Sequence, residues 1–128
     1  QAYEDILNSP LSRYVTAMAH PFDAVCCPYD YKILINMITD DTFKRLFDKT
    51  AEKNIAFEIN VSYSKNMTPQ ELADDCHIRM FRIAKECGCK FTFGSDSHSS
   101  AYHDFYENAS ILSDILELKE DDLAEICR

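Results

Sequence analysis

Residues 90–99 read Lys-Phe-Thr-Phe-Gly-Ser-Asp-Ser-His-Ser, an apolar run that changes at once to polar side chains. The run from Lys90 to Phe93 has the aromatic and β-branched content typical of a strand. Asp96 and His98 stand two residues apart, so in an extended segment their side chains point the same way. A carboxylate and an imidazole that reach one point are typical ligands of Zn, Mn or Fe. The motif therefore predicts part of a metal site, with a polar surface loop as the alternative.

A second β-prone run, residues 13–19, ends in His20-Pro21. Proline lacks an amide donor and stops a ladder of hydrogen bonds, so His20 is expected at the carboxyl end of this strand. There it could bind the same metal, or it could be a buried histidine whose hydrogen bonds are satisfied. We expect Gly94 to let the backbone turn tightly after the later strand.

The third β-prone run, residues 56–61, alternates apolar and polar side chains. Glu58 and Asn60 are therefore expected on one face of the strand, toward the interior of a barrel or cleft. A carboxylate in mid-strand needs a partner, which could be a metal, a substrate or a basic side chain. Asn60 is closer to the strand end and is the better candidate for contact with a substrate. Ser97 is a further candidate for the same pocket.

Helical patterns separate and follow these strands. They lie at residues 43–51, 72–87, 105–116 and 119–128. Before the second pattern, Thr68 and Glu71 form a predicted capping box, and Gly88 is the expected stop. His77 lies on the edge of this pattern, so we expect a boundary side chain on the outside of the fold. The alternation indicates the α/β class, with parallel βαβαβα units whose strands all end on one face. Functional sites of such folds gather at that face.

Composition limits the class of protein. The chain has 128 residues, of which 46% are apolar and 27% charged, and we expect a single compact unit over residues 1–128. A net charge of −9 argues against binding to nucleic acid. No apolar run approaches the roughly 20 residues that cross a bilayer, and no signal peptide is predicted. The six cysteines are expected to be free thiols, and the expected location is the cytoplasm.

The three motifs together, His-Pro, Glu-Ile-Asn and Gly-Ser-Asp-Ser-His, resemble the last three motifs of the PHP (polymerase and histidinol phosphatase) family. The resemblance covers residues 14–123 and is nearest to the histidinol-phosphatase type. It implies a distorted (β/α)7 TIM-like barrel that hydrolyses a small phosphorylated substrate through a metal-activated hydroxide. By the same resemblance, divalent ions (Zn, Mn or Fe) would bind to His20, Asp96 and His98, and Asn60 would lie near the phosphate.

The chain also departs from the family pattern. PHP proteins open with a His-x-His motif and further His and Glu ligands, none of which is present here. We therefore expect the carboxyl-terminal portion of a PHP domain whose amino-terminal half is absent. The alternatives are a catalytically incomplete PHP module with a structural or binding role, and an unrelated α/β hydrolase or deaminase of the metal-dependent barrel type.

Part of a barrel would expose edge strands and one apolar flank. We therefore expect the purified chain to self-associate so that these surfaces are covered. Light scattering at increasing protein concentration measures this, and the mass should rise above that of one chain. A strictly monomeric species at high concentration would contradict the expectation.

Overall fold

A computed structural model describes residues 1–23, 29–64, 66–97 and 105–127. Within these residues it has one sheet of three strands, in the order β1-β2-β3. The strands are β1 (Ala17–Met18), β2 (Ala56–Asn60) and β3 (Phe91–Gly94), and both pairings are parallel. The predicted α/β class is confirmed, while these strands form an open sheet rather than a closed barrel.

Six helices accompany the sheet in the described part of the chain. They are α1 (Ala2–Asn8), α2 (Tyr31–Met37), α3 (Asp40–Glu52), α4 (Pro69–Ala73), α5 (Cys76–Glu86) and α6 (Phe105–Ile115). Short 3₁₀ turns occupy Pro10–Tyr14, Val61–Ser64, Glu120–Asp122 and Glu125–Cys127. None of the helices in these described ranges is both long enough and apolar enough to cross a bilayer.

Capping residues set the ends of two predicted helices. Thr39 caps α3 by accepting a hydrogen bond from the Thr42 amide. Thr68 and Glu71 form the predicted capping box at the start of α4. Gly88 follows α5 with a φ of 81°, a conformation that costs glycine little, and this confirms it as the stop.

Three predicted elements differ from the structure. Of the run expected as a strand over residues 13–19, only β1 is a strand. A 3₁₀ turn over Pro10–Tyr14 takes the start of the run. The pattern over residues 72–87 forms two helices rather than one, since Asp75 interrupts it and caps α5. The expected final helix is two 3₁₀ turns. In each case a local turn or cap replaces continuation of the pattern.

Aromatic side chains fill the space between the sheet and the helices. Phe57 lies at the centre and is fully buried. Its ring lies 5.1 Å from that of Phe47, 6.1 Å from Phe81 and 6.2 Å from Phe91, centroid to centroid, each nearly edge to face. Such pairs add to the free energy gained from burial of apolar surface. Phe57 therefore connects α3 and α5 to two neighbouring strands.

Replacement of Phe57 by alanine would leave a cavity at this centre. We expect the free energy of unfolding to fall by roughly 3–5 kcal/mol, as for other buried phenylalanines. Urea unfolding followed by circular dichroism measures the change. Tyr14→Ala is the matched control, because Tyr14 is 71% exposed. Equal losses in the two variants would contradict the central role of Phe57.

Candidate functional site

His20 and Asp96 meet beyond the ends of the two outer strands. His20 follows β1 with a φ of 48°, and Asp96 follows β3 with a φ of 47°. Both lie in the left-handed region, which is uncommon for residues other than glycine and is concentrated at functional sites. His20 Nε2 lies 3.5 Å from Asp96 Oδ1, and their side chains are 39% and 35% exposed. The parallel sheet thus brings together two residues that are 76 positions apart in the chain (96 − 20).

This separation suits two ligands of one ion. In a tetrahedral zinc site with bonds of about 2.0 Å, neighbouring ligand atoms are about 3.3 Å apart. A histidine nitrogen and a carboxylate oxygen are also donors that Zn, Mn and Fe accept. The His20–Asp96 pair therefore fits part of a metal site. His98, the third predicted ligand, lies outside the described residues.

Asn60, at the end of the central strand β2, hydrogen-bonds to His20 Nδ1. The Ser62 amide donates to Asn60 Oδ1 at 2.9 Å, so the Asn60 amide group faces His20 with its nitrogen. In this arrangement Nδ1 of His20 accepts, and the ring proton is on Nε2. Metal binding through Nε2 would need the other tautomer, with the Nδ1 proton directed to Glu58 Oε1 at 3.4 Å.

Glu58 also lies on the site face of β2. Its Oε1 is buried and makes no hydrogen bond among the described residues. Gly94 leaves room for this carboxylate, because a Cβ at that position would lie 2.5 Å from Glu58 Cδ. The expectation that Gly94 serves a tight turn is therefore wrong. It is a strand residue, and its lack of a side chain admits Glu58.

Ser97 is exposed beside Asp96, and its amide donates to Ser95 Oγ at 3.2 Å. Of the three candidate substrate-binding residues, Glu58 and Asn60 line the cavity at the strand ends, and Ser97 is not among its lining residues.

A small cavity of about 50 Å³ opens at this end of the sheet. Its lining includes His20, Glu58 and Asn60, together with Tyr63 and His77. The volume is enough for a few water-sized groups. His20 therefore belongs both to the cavity lining and to the His20–Asp96 pair.

His77 was expected on the outside of the fold, and this prediction is wrong. The residue is 8% exposed and faces the cavity. The reason is the helix break: Asp75 caps α5 and its Oδ1 accepts a 2.7 Å hydrogen bond from His77 Nδ1. The sequence carries a usable signal, an Asp-x-His pattern at a helix start, which a continuous helix over residues 72–87 conceals.

The Asp75 carboxylate accepts several hydrogen bonds at the site. It has no exposed side-chain surface, and it accepts hydrogen bonds from the His77 amide at 3.0 Å and from Tyr31 Oη at 2.9 Å. Burial alone would raise the pKa of the Asp75 carboxyl, but these hydrogen bonds outweigh it and the pKa is lowered. Burial lowers the pKa of His77, and the carboxylate opposes this shift. The pair is therefore an ionised carboxylate and a neutral imidazole near pH 7.

Asp75, Cys76 and His77 form a second group that could hold a metal, with ligand atoms within 4.8 Å of one another. Its chemistry is less suitable. Burial and the Asp75 charge raise the pKa of the Cys76 thiol to about 11, whereas metals bind the thiolate. The oxygens of Asp75 already accept from Tyr31 and His77. Helix capping accounts for this cluster.

Tyr63 completes the cavity wall. Its ring stacks on His77 with centroids 4.0 Å apart, and its hydroxyl is buried without a hydrogen-bond partner among the described residues. Burial raises the pKa of Tyr63, so the hydroxyl stays protonated and remains a donor.

Comparison with known proteins identifies no relative. The chain matches no protein-family model, no curated protein and no solved structure. The resemblance to the PHP family therefore rests on the three sequence motifs alone.

The unpartnered hydroxyl of Tyr63 should make the folded protein less stable. We expect Tyr63→Phe to raise the free energy of unfolding by roughly 1 kcal/mol, the lower cost of a buried polar group left without a hydrogen bond. Chemical unfolding measures the change, with Tyr14→Phe as the control because that side chain is exposed. A loss of stability specific to Tyr63→Phe would show that the hydroxyl has a protein partner.

Proposed function

We propose that this chain supplies part of the metal centre of a metal-dependent phosphoesterase of the PHP type, acting on a small phosphorylated substrate. One observation carries the proposal: His20 Nε2 and Asp96 Oδ1 lie 3.5 Å apart at the carboxyl ends of parallel strands. Each residue also stands in the motif that the resemblance assigns to a metal ligand. His98 is the expected third ligand.

The wider fold is proposed on the same basis. We propose that β1, β2 and β3 are neighbouring strands of a distorted (β/α)7 barrel. Two features support this: every pairing is parallel, and an isolated parallel bridge between Phe91 and Leu123 continues the pairing beyond β3. A barrel of this kind gathers its functional side chains at the carboxyl ends of the strands.

The residues of this chain would then have separate tasks. A bound divalent ion would supply an activated water and a positive charge to hold the phosphate. His20 and Asp96 would bind the ion, and Glu58 would orient the His20 ring by accepting a hydrogen bond from its Nδ1–H. Asn60, buried at the end of β2, would donate its amide hydrogens toward a phosphate oxygen.

A catalytically incomplete PHP module is the second candidate. It is favoured by the small number of ligands, since only two predicted ligand atoms meet in the described residues. Such a module would keep the fold and bind metal weakly or not at all. Hydrolysis of a phosphomonoester by the metal-loaded chain distinguishes the two candidates.

Metal content of the purified chain tests the proposal. We expect about one Zn, Mn or Fe ion per chain, with loss of the ion in His20→Ala, Asp96→Asn and His98→Ala. Elemental analysis after dialysis against the metal gives the stoichiometry. Cys76→Ser is the matched control, because it changes the other group that could hold a metal and should leave the ion bound.

The reverse pattern would contradict the proposal. Loss of the ion in Cys76→Ser, with retention in His20→Ala, would place the metal at the start of α5. If neither the parent chain nor any variant contained metal, the proposal that this chain forms part of a metal centre would be wrong.

A further inference from the structure

The turn that begins at His20 has an unfavourable backbone conformation. The Asp23 amide donates to His20 O at 3.1 Å, which closes a turn of four residues. Pro21 stands at its second position, and Phe22, with a φ of 65°, stands at its third. These features are typical of a type II turn, whose third position ordinarily takes glycine or asparagine. A phenylalanine in that conformation persists only where other contacts compensate for it.

Aromatic packing supplies these contacts. The Phe22 ring stacks on Tyr3, with centroids 4.8 Å apart and planes inclined by 24°. It also packs edge to face on Phe43 and Phe47 of α3, at centroid distances of 5.4 Å and 6.0 Å. Both of these rings are fully buried. Since aromatic pairs stabilise a fold beyond the area that they bury, Phe22 attaches the turn firmly to α1 and α3.

Tyr3, the stacking partner of Phe22, is itself held in place by a buried hydrogen bond. Thr50 of α3 is fully buried, and its hydroxyl donates to Leu46 O at 2.9 Å. The Tyr3 hydroxyl lies 2.8 Å from Thr50 Oγ1 and is therefore the donor to it. The surface on which Phe22 packs thus belongs to the core of the protein.

Phe22 stands two residues after His20, whose Nε2 lies 3.5 Å from Asp96 Oδ1. On the other side of His20, strand β1 has only two residues, which is short for a strand. A ladder of this length fixes the direction of the following side chain poorly. The packing of Phe22 gives the chain a second point of attachment, so His20 is held from both sides. Metal ligands need such support, because small displacements weaken binding.

We propose that Phe22 is a positioning residue whose ring, packed on Tyr3 and α3, holds His20 in the geometry that a metal ion needs beside Asp96. The metal part of this inference rests on the proposed function. The placement of His20 by Phe22 concerns the metal-free chain as well and can be measured there.

Zinc binding to a glycine variant tests the proposal. Phe22→Gly removes the ring but accepts the positive φ of the turn, so the backbone gains no strain. We expect zinc affinity, measured by calorimetry, to fall roughly 10- to 100-fold, as for other residues that orient a metal ligand. Leu46→Ala is the control for a general loss of core packing, because Leu46 is 6% exposed and carries no ring. Its zinc affinity should match that of the parent chain.

A second measurement needs no metal. Asn60 contacts the His20 ring at Nδ1, so the metal-free parent chain should give an NMR cross-peak between the Asn60 amide protons and the His20 ring. Phe22→Gly should lose this cross-peak, and Leu46→Ala should keep it. A merely structural role of Phe22 would lower stability without separating the two variants in this way. If Phe22→Gly does not fold, Phe22→Leu replaces it, with a smaller loss expected in both measurements.

The inference is overturned if the cross-peak is absent from the parent chain or persists in the Phe22 variant. It is also overturned if Leu46→Ala loses the cross-peak equally, since any loss of core packing would then displace His20. Zinc affinity that is unchanged in the Phe22 variant contradicts its role in metal binding. If the parent chain binds no zinc, the proposed function fails, and the cross-peak alone decides whether Phe22 positions His20.

Discussion

The parallel pairing of β2 with a strand on each side is the constraint on which the site depends. The Ala56 amide donates to Thr16 O at 2.9 Å, and the Phe57 amide donates to Lys90 O at 2.8 Å. Alternation along β2 then directs Phe57 into the aromatic core and Glu58 and Asn60 toward the site. A shift of one residue in this register would exchange the two faces, so core packing also stabilises the geometry of the site.

The break between α4 and α5 has a comparable effect on the lining of the cavity. Asp75 is a buried carboxylate that caps α5, and its hydrogen bonds to His77 and Tyr31 replace the water lost on burial. A continuous helix would have left His77 at its flank. Because the second helix starts at Asp75 instead, the imidazole lies against Tyr63 and lines the same cavity as His20. One capping interaction thus decides the chemistry of the wall.

Much of the fold could be predicted from local patterns. The apolar strands β2 and β3, the Thr68 capping box and the Gly88 stop follow from side-chain properties that act over a few residues. The extents of β1 and of the last helix were wrong, because 3₁₀ turns compete with regular elements at such short lengths. The expected turn at Gly94 is wrong because no local pattern reveals its neighbour. The Glu58 carboxylate of the adjacent strand occupies the position that a Cβ at Gly94 would take.

Local sequence patterns are enough to place three residue types at the strand ends: the imidazole of His20, the amide of Asn60 and the carboxylate of Asp96. They also indicate that the strands alternate with helices, which favours parallel pairing. Local sequence does not reveal that His20 and Asp96 approach to 3.5 Å, or that Tyr63 and His77 line the same cavity as His20. The physical reason is distance along the chain: these contacts join segments far apart in sequence, and only the register of the sheet and the packing of α5 on it set their separation.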